Sequence, residues 1–203
     1  DITIEEAVYE IVDNAFDADA RNIRIDIEKN AEGYLRMTFS DDGVGIPALH
    51  IDKDGEKHEG IPYVLAYGGR IPHPGQPHSI GKFGWGLSQA ASALSRRTEV
   101  YSKTINDEQW RHSWYDFTEL EKEPLCELPE ERFKNPPWLT TESGTFIILD
   151  SMEGADFKRP GHVVNMLVRN LGQTYRKFIG DGRTITVTQD GRTKKAKSTK
   201  ISI

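Results

Sequence analysis

Residues 4 to 18 read Ile-Glu-Glu-Ala-Val-Tyr-Glu-Ile-Val-Asp-Asn-Ala-Phe-Asp-Ala, a spacing that admits one amphipathic helix and little else. At about 100° per residue, Ile4, Ala7, Val8, Ile11, Val12, Ala15 and Ala18 share one arc that must pack against a partner surface. Thr3 and Glu6 stand as a capping box, which fixes where the helix begins. Glu10, Asn14 and Asp17 fall at i, i+4 and i+7, so they line up along a different stripe. A carboxylate, a carboxamide and a second carboxylate in one row can abstract a proton, ligate a metal and accept hydrogen bonds. Taken alone, the row reads better as a solvated polar face. Asp13 falls beside the stripe and reads as structural.

The arc predicts a sheet beneath it, and the chain supplies strands. Ile23 to Ile27 alternates strictly, as do Leu35, Met37 and Phe39, with a turn around Asn30 to Gly33 between them. Further strands are expected from Thr98 to Thr104, Trp110 to Phe117 and Ser143 to Leu149. A helix is expected from Pro160 to Ile179, stopped by Gly180, followed by a hairpin through Ile185 to Thr188 and Asp190-Gly191. Residues 119 to 138 read as a Pro- and Glu-rich surface insertion. With 203 residues, 36% hydrophobic and 29% charged, the chain can bury one sizeable core. Its longest apolar runs are too short to span a bilayer. A net charge of −6 argues against a general nucleic-acid coat and leaves room for a local basic patch. The single cysteine, Cys126, allows no internal disulfide and fits a reducing compartment. The opening helix cap leaves no secretory signal in view, so a cytoplasmic or nuclear, non-secreted location is expected.

Three glycine-bearing stretches follow the helix. The second strand runs into Asp41-Asp-Gly43-Val-Gly45-Ile46-Pro47, which is either a plain Asp-Gly turn or a backbone bared for close approach to a flat ligand. In the second case Asp41 accepts a hydrogen bond from a ligand amino group. Residues 48 to 84 are rich in Gly, Pro and His, with a short helical piece near Pro62 to Tyr67, and read as a mobile functional segment or as disorder. His50, His58, His73 and His78 match no structural zinc spacing and read as solvated loop histidines. The segment ends in Ile80-Gly81-Lys82-Phe83-Gly84-Trp85-Gly86-Leu87, before a helix from Ser88 to Leu94. A P-loop would need four residues between its glycine and Gly-Lys and then Ser or Thr, whereas five separate Gly75 from Gly81 and Phe83 follows Lys82. The order Gly81-x-x-Gly84-x-Gly86 also reverses the dinucleotide fingerprint. What remains is glycine-rich backbone entering a helix N-terminus, which offers free N–H groups to phosphates, or else a close-packed turn.

Four boxes in a fixed order, Glu10-x-x-x-Asn14-x-x-Asp17-Ala18, Asp41-x-Gly43-x-Gly45-Ile46-Pro47, Gly81-x-x-Gly84-x-Gly86 and Gly144-Thr145, resemble those of the GHKL ATPases. That family includes DNA gyrase, the ninety-kilodalton heat-shock chaperone, sensor histidine kinases and MutL. The resemblance spans roughly residues 3 to 150. It implies the Bergerat fold: a two-layer α/β sandwich on a mixed, mainly antiparallel sheet, with ATP under a flexible lid at about 48–84. It further implies Asn14 as the Mg²⁺ ligand, Glu10 as the base that activates water, and Asp41 as acceptor of the adenine amino group with Thr145 in support. Gly43, Gly45 and Ile46 would lie against the base. Gly81, Lys82, Phe83, Gly84, Trp85, Gly86 and Leu87 would close on the phosphates, and Asp17 would line the site or anchor the helix.

Within the family, the box at residues 80 to 87 and Leu171-Gly-Gln-Thr-Tyr-Arg-Lys-Phe-Ile179 resemble the MORC ATPases and their prokaryotic relatives. Val44 stands where gyrases carry an arginine. The implied function is an ATP-gated clamp that hydrolyses Mg·ATP slowly and dimerises in its full-length context on a client, DNA or protein, with no membrane partner. The alternatives are a histidine-kinase-type phosphotransfer domain and a nucleotide-sensing module without turnover. The implied division is an ATP-binding domain at 1–180 and a hairpin at 181–203 that could open a following transducer-like domain.

Overall fold

A computed structural model of the chain describes residues 3–52, 54–65, 86–122, 128–133, 140–153 and 159–198. The opening helix, α1, runs over Ile4–Asp17. The Thr3 hydroxyl accepts from Glu6 N and the Glu6 carboxylate accepts from Thr3 N, closing the capping box expected from the sequence. Ile4, Ala7, Val8, Ile11, Val12 and Ala15 are buried. Each large aliphatic among them contributes roughly 1.5–3 kcal/mol when fully withdrawn from water.

The surface they cover is an eight-stranded sheet. In chain order its strands are β1 (Asn22–Lys29), β2 (Leu35–Asp41), β5 (Ser95–Lys103), β6 (Trp110–Asp116), β7 (Glu130–Phe133), β8 (Gly144–Met152), β9 (Thr184–Gln189) and β10 (Arg192–Lys195). Across the sheet they lie β10-β9-β1-β2-β8-β5-β6-β7. Among the described residues only the β1–β9 pair is parallel. The architecture is therefore the mixed, mainly antiparallel α/β fold expected from the sequence. Ile23, Ile25 and Ile27 of β1, with Leu35, Met37 and Phe39 of β2, point into the core beneath the helices. α3 (Gly86–Leu94) packs on α1, and α5 (Pro160–Thr174) packs on β9 and β1. A smaller cluster of Tyr101, Trp110 and Ile148, with Phe146 against it, occupies the opposite face.

Several boundaries differ from the sequence reading, each for a local reason. Residues 49–52 and 54–65 are built rather than irregular: β3 (Leu49–Ile51) and β4 (Lys57–Glu59) pair as a hairpin, and α2 (Gly60–Leu65) follows directly. Ile61 and Leu65 sit in the core, apolar anchors inside the span expected to be the lid. β6 stops at Asp116, whose side chain accepts from Thr118 N and caps a single helical turn, α4 (Phe117–Leu120). Within the 119–138 excursion, Glu130–Phe133 adds a strand beside β6; four residues, three of them charged, carry no strand periodicity. The last long helix breaks at Tyr175 into α5 and α6 (Arg176–Gly180), because Tyr175 leaves helical geometry to turn its hydroxyl toward α1. The hairpin after residue 180 lies at the edge of the same sheet, with β9 beside β1. Its turn uses Asp190 and Gly191 at φ 48° and 74°, the left-handed pair that tight hairpins prefer. Cys126, His73 and His78 lie outside the described residues.

Candidate functional site

Glu10, Asn14 and Asp17 stand in their row on α1: Glu10 half-buried, Asn14 exposed, Asp17 buried. The flank of the helix next to Asp17 is committed to the end of α5. The Tyr175 hydroxyl donates to Asp13 Oδ1 at 2.7 Å and approaches the Tyr9 carbonyl at 3.2 Å. Burial pushes the Asp13 carboxyl up to about 6, against the Tyr175 donor and helped by the nearby charges of Glu10 and Asp17. Asp13 thus has the structural role that its position beside the stripe implied.

The second box lies against the C-terminus of α1. Val44 N donates to the Ala18 carbonyl at 2.9 Å, and a Cβ on Gly43 would come within 2.7 Å of that oxygen. Gly45 takes φ 76°, and a Cβ there would collide with the Lys103 carbonyl. Glycine is needed at both positions, first for close packing and second for a left-handed backbone. Asp41 ends β2 directly opposite Thr145 of β8. Its Oδ1 accepts from Gly43 N at 2.9 Å and from Thr145 N at 3.3 Å. Burial nonetheless dominates and pushes the Asp41 carboxyl up to about 7. Gly144 is held in place by the Asp41 carbonyl, with which any Cβ would collide.

Three further residues build the loop without having stood out in the sequence. Asp42 accepts from Arg21 N, Asn22 N and Asn22 Nδ2 at 2.7, 2.8 and 2.7 Å, which ties the box to the start of β1. Burial raises its carboxyl, but those donors outweigh it and leave the net shift downward. The Ser143 hydroxyl donates to the Gly43 carbonyl at 2.9 Å. Ser102 Oγ accepts from Ile46 N at 2.8 Å and donates to the Gly144 carbonyl at 2.9 Å, with Thr145 Oγ1 3.2 Å away. Ser102 falls on an ordinary strand position and Ser143 just before β8, and only the folded sheet reveals what they meet.

Boxes one, two and four therefore meet where α1 ends, and α3, which opens at Gly86 with Leu87 buried, packs beside α1. Gly81, Lys82, Phe83, Gly84 and Trp85 lie outside the described residues. A family profile described as histidine kinase-, DNA gyrase B- and HSP90-like ATPase matches residues 2–145. The chain belongs to that ATPase family. Over 116 residues, 56% of its length, it is also 34% identical to the DNA gyrase B protein of Micrococcus luteus. The match covers 16% of that protein's length.

The donor set suits the group that this family would place here. Asn14 offers an exposed carboxamide oxygen, and Glu10 is half-buried one turn before it. Mg²⁺ takes few protein ligands and keeps waters and phosphate oxygens, so one amide oxygen suffices from the chain. On the β3–β4 hairpin, Asp52, Glu56 and His58 also gather within 4.8 Å. There Asp52 already accepts from Asp54 N, Glu56 N and the His58 ring, and His50 and His58 lie against Tyr63. Those contacts close the hairpin by themselves. Among the described residues, no helix is long and apolar enough to cross a membrane.

Proposed function

We propose that the chain binds Mg·ATP in the recess bounded by α1, the Asp41–Pro47 loop and the start of β8, and hydrolyses it slowly as an ATP-gated clamp of MORC-like type. The supporting observation is the double use of Asp41 Oδ1 by Gly43 N and Thr145 N, which leaves Oδ2, without a partner among the described residues, to accept from the exocyclic amine of adenine. Gly43, Gly45 and Ile46 supply bare backbone for the plane of the base. Asn14 would hold Mg²⁺, whose charge would neutralise phosphate oxygens. Glu10 would orient the attacking water and take its proton. Asp17 would line the base of the phosphate side. Gly81, Lys82, Phe83, Gly84, Trp85, Gly86 and Leu87 would close on the phosphates, with N–H groups at the entry to α3 favouring the negative charge. The MORC-like branch rests on the residue 80–87 box and on Leu171–Ile179 in sequence.

The Glu10→Ala variant tests the assignment. Mg·ATP affinity by calorimetry should stay close to wild type, while phosphate release falls by roughly 10²–10⁴-fold. Wild-type turnover in the variant would make Glu10 structural and favour a nucleotide-sensing module. Transfer of the γ-phosphate to protein instead of water would favour the phosphotransfer branch.

A further inference from the structure

Arg111 is a nearly fully buried cation, its side chain 3% exposed, on the helix-facing side of β6. A buried charge is expensive unless its hydrogen-bonding demands are met, and its partners show what it is there to hold. Nη2 donates to the Ile46 carbonyl, Nη1 to the Pro47 carbonyl at 3.2 Å, and Nη2 also to Asp107 Oδ2 at 3.1 Å. The Glu130 carboxylate stands 4.0 Å off, and Nε has no acceptor among the described residues. The guanidinium is therefore shared between two loop carbonyls and the Asp107 carboxylate.

Those carbonyls end the glycine box. Ser102, which takes Ile46 N, is the direct cross-strand neighbour of Arg111 in the β5–β6 ladder. One cross-strand pair thus grips the Ile46 residue at both ends, its N–H on Ser102 and its C=O on Arg111. Asp107 in turn accepts from Thr104 N and Oγ1, fixing the guanidinium to the turn between β5 and β6. Past Pro47 the chain enters the hairpin, and a Cβ on Gly60, which opens α2 behind it, would collide with the Pro47 carbonyl. The loop exit has no slack.

We infer that Arg111 is a positioning residue for the nucleotide site, locking the exit of the Asp41–Pro47 loop so that the backbone of Gly45 and Ile46 is set in advance for the adenine side of the ligand. The inference rests on the proposed nucleotide reading. A lysine at this position carries the charge but cannot span two carbonyls and a carboxylate with a planar fork.

The test compares wild type, Arg111→Lys, Asp107→Asn and Asp41→Asn by equilibrium binding of Mg·ATP and of adenosine, with residue-resolved amide exchange. In Arg111→Lys the Ile46 amide should exchange at least about tenfold faster, as for loss of one charge-assisted hydrogen bond. Affinities for adenosine and Mg·ATP should fall by the same factor, about tenfold, because the lost order lies on the base side. Asp107→Asn leaves the guanidinium in place, should shift both readouts several-fold in the same direction, and decides the matter if Arg111→Lys does not fold. Unchanged affinity despite faster exchange at Ile46 would reduce Arg111 to a structural role. Loss of Mg·ATP with adenosine unaffected would move its action to the phosphates and overturn the inference. Asp41→Asn should lose binding in parallel. If it binds as wild type does, or if wild type binds neither ligand, the nucleotide reading fails first and this inference falls with it.

Discussion

Asp41 has two N–H donors on one oxygen and still holds its proton to about pH 7, because burial outweighs both. A carboxyl raised above its unfolded value favours the folded state while it is protonated. That contribution is fully present below the unfolded value and is lost as pH rises through about 7. The ligand-free protein should therefore lose stability between about pH 4 and 8 through this group, and Asp41→Asn should flatten that slope in denaturant titrations. Nucleotide binding has the opposite sign. Accepting from an adenine amine requires the carboxylate, so affinity should weaken as pH falls below about 7, by at most tenfold per unit for one group. Asp41→Asn should also lower affinity at pH 8, where an amide donor facing the amine costs about 1–3 kcal/mol. Calorimetry in buffers of different ionisation enthalpy would detect the proton released on binding at pH 6. A flat affinity profile from pH 6 to 8 would remove Asp41 from the adenine contact.

At the scale of elements, the site is as rigid as the support behind α1. Phe16, 2% exposed, stacks on Phe178 of α6 at 4.5 Å with planes 8° apart. The Arg183 guanidinium lies 5.5 Å from each ring. Tyr175 adds its hydroxyl to Asp13, and Asn170 donates to Glu5 at 2.8 Å. The helix carrying Glu10 and Asn14 is thereby braced by residues beyond the 2–145 family match. Phe16→Ala should cost about 3–5 kcal/mol, the range for deleting a buried aromatic, measured by chemical denaturation with an unchanged slope. A loss under about 1 kcal/mol would mean that α6 contributes little to holding α1. The sequence disclosed α1 to within a residue, since a capping box and a full apolar arc are local signals. It disclosed β1, β2 and the Asp190-Gly191 turn for the same reason. Strand β7 and the break at Tyr175 were illegible because their causes are tertiary: pairing with β6 in one case, a hydroxyl reaching α1 in the other. The site divides along the same line. Asp41, Gly43 and Gly45 were marked by an acid before paired glycines, and Thr145 by the resemblance of its box to the family's, whereas Ser102, Ser143 and Arg111 act through neighbours that only the sheet brings together.

At the scale of the whole molecule, the proposed clamp needs more positive charge at the γ-phosphate than the described part of the recess supplies. In the gyrase and MutL branch of the family that the sequence resembles, a lysine from a following domain reaches that phosphate, and dimerisation completes the site. Within the basic run of the C-terminal hairpin, Lys194 is otherwise engaged: its Nζ donates to Asn165 Oδ1 at 2.6 Å on the edge of the sheet. A transition state lacking one preorganised donor forfeits about 3–4 kcal/mol, or roughly two to three orders of magnitude in rate. The 203 residues by themselves are therefore expected to bind Mg·ATP but turn it over very slowly. A polypeptide that adds a following domain should be faster, and its rate per chain should climb with protein concentration as nucleotide drives two copies together. Steady-state phosphate release over a hundredfold range of concentration, paired with sedimentation in a non-hydrolysable analogue, measures both effects. Fast hydrolysis by the 203-residue chain, independent of concentration and without nucleotide-dependent dimers, would refute the clamp and identify a self-sufficient ATPase.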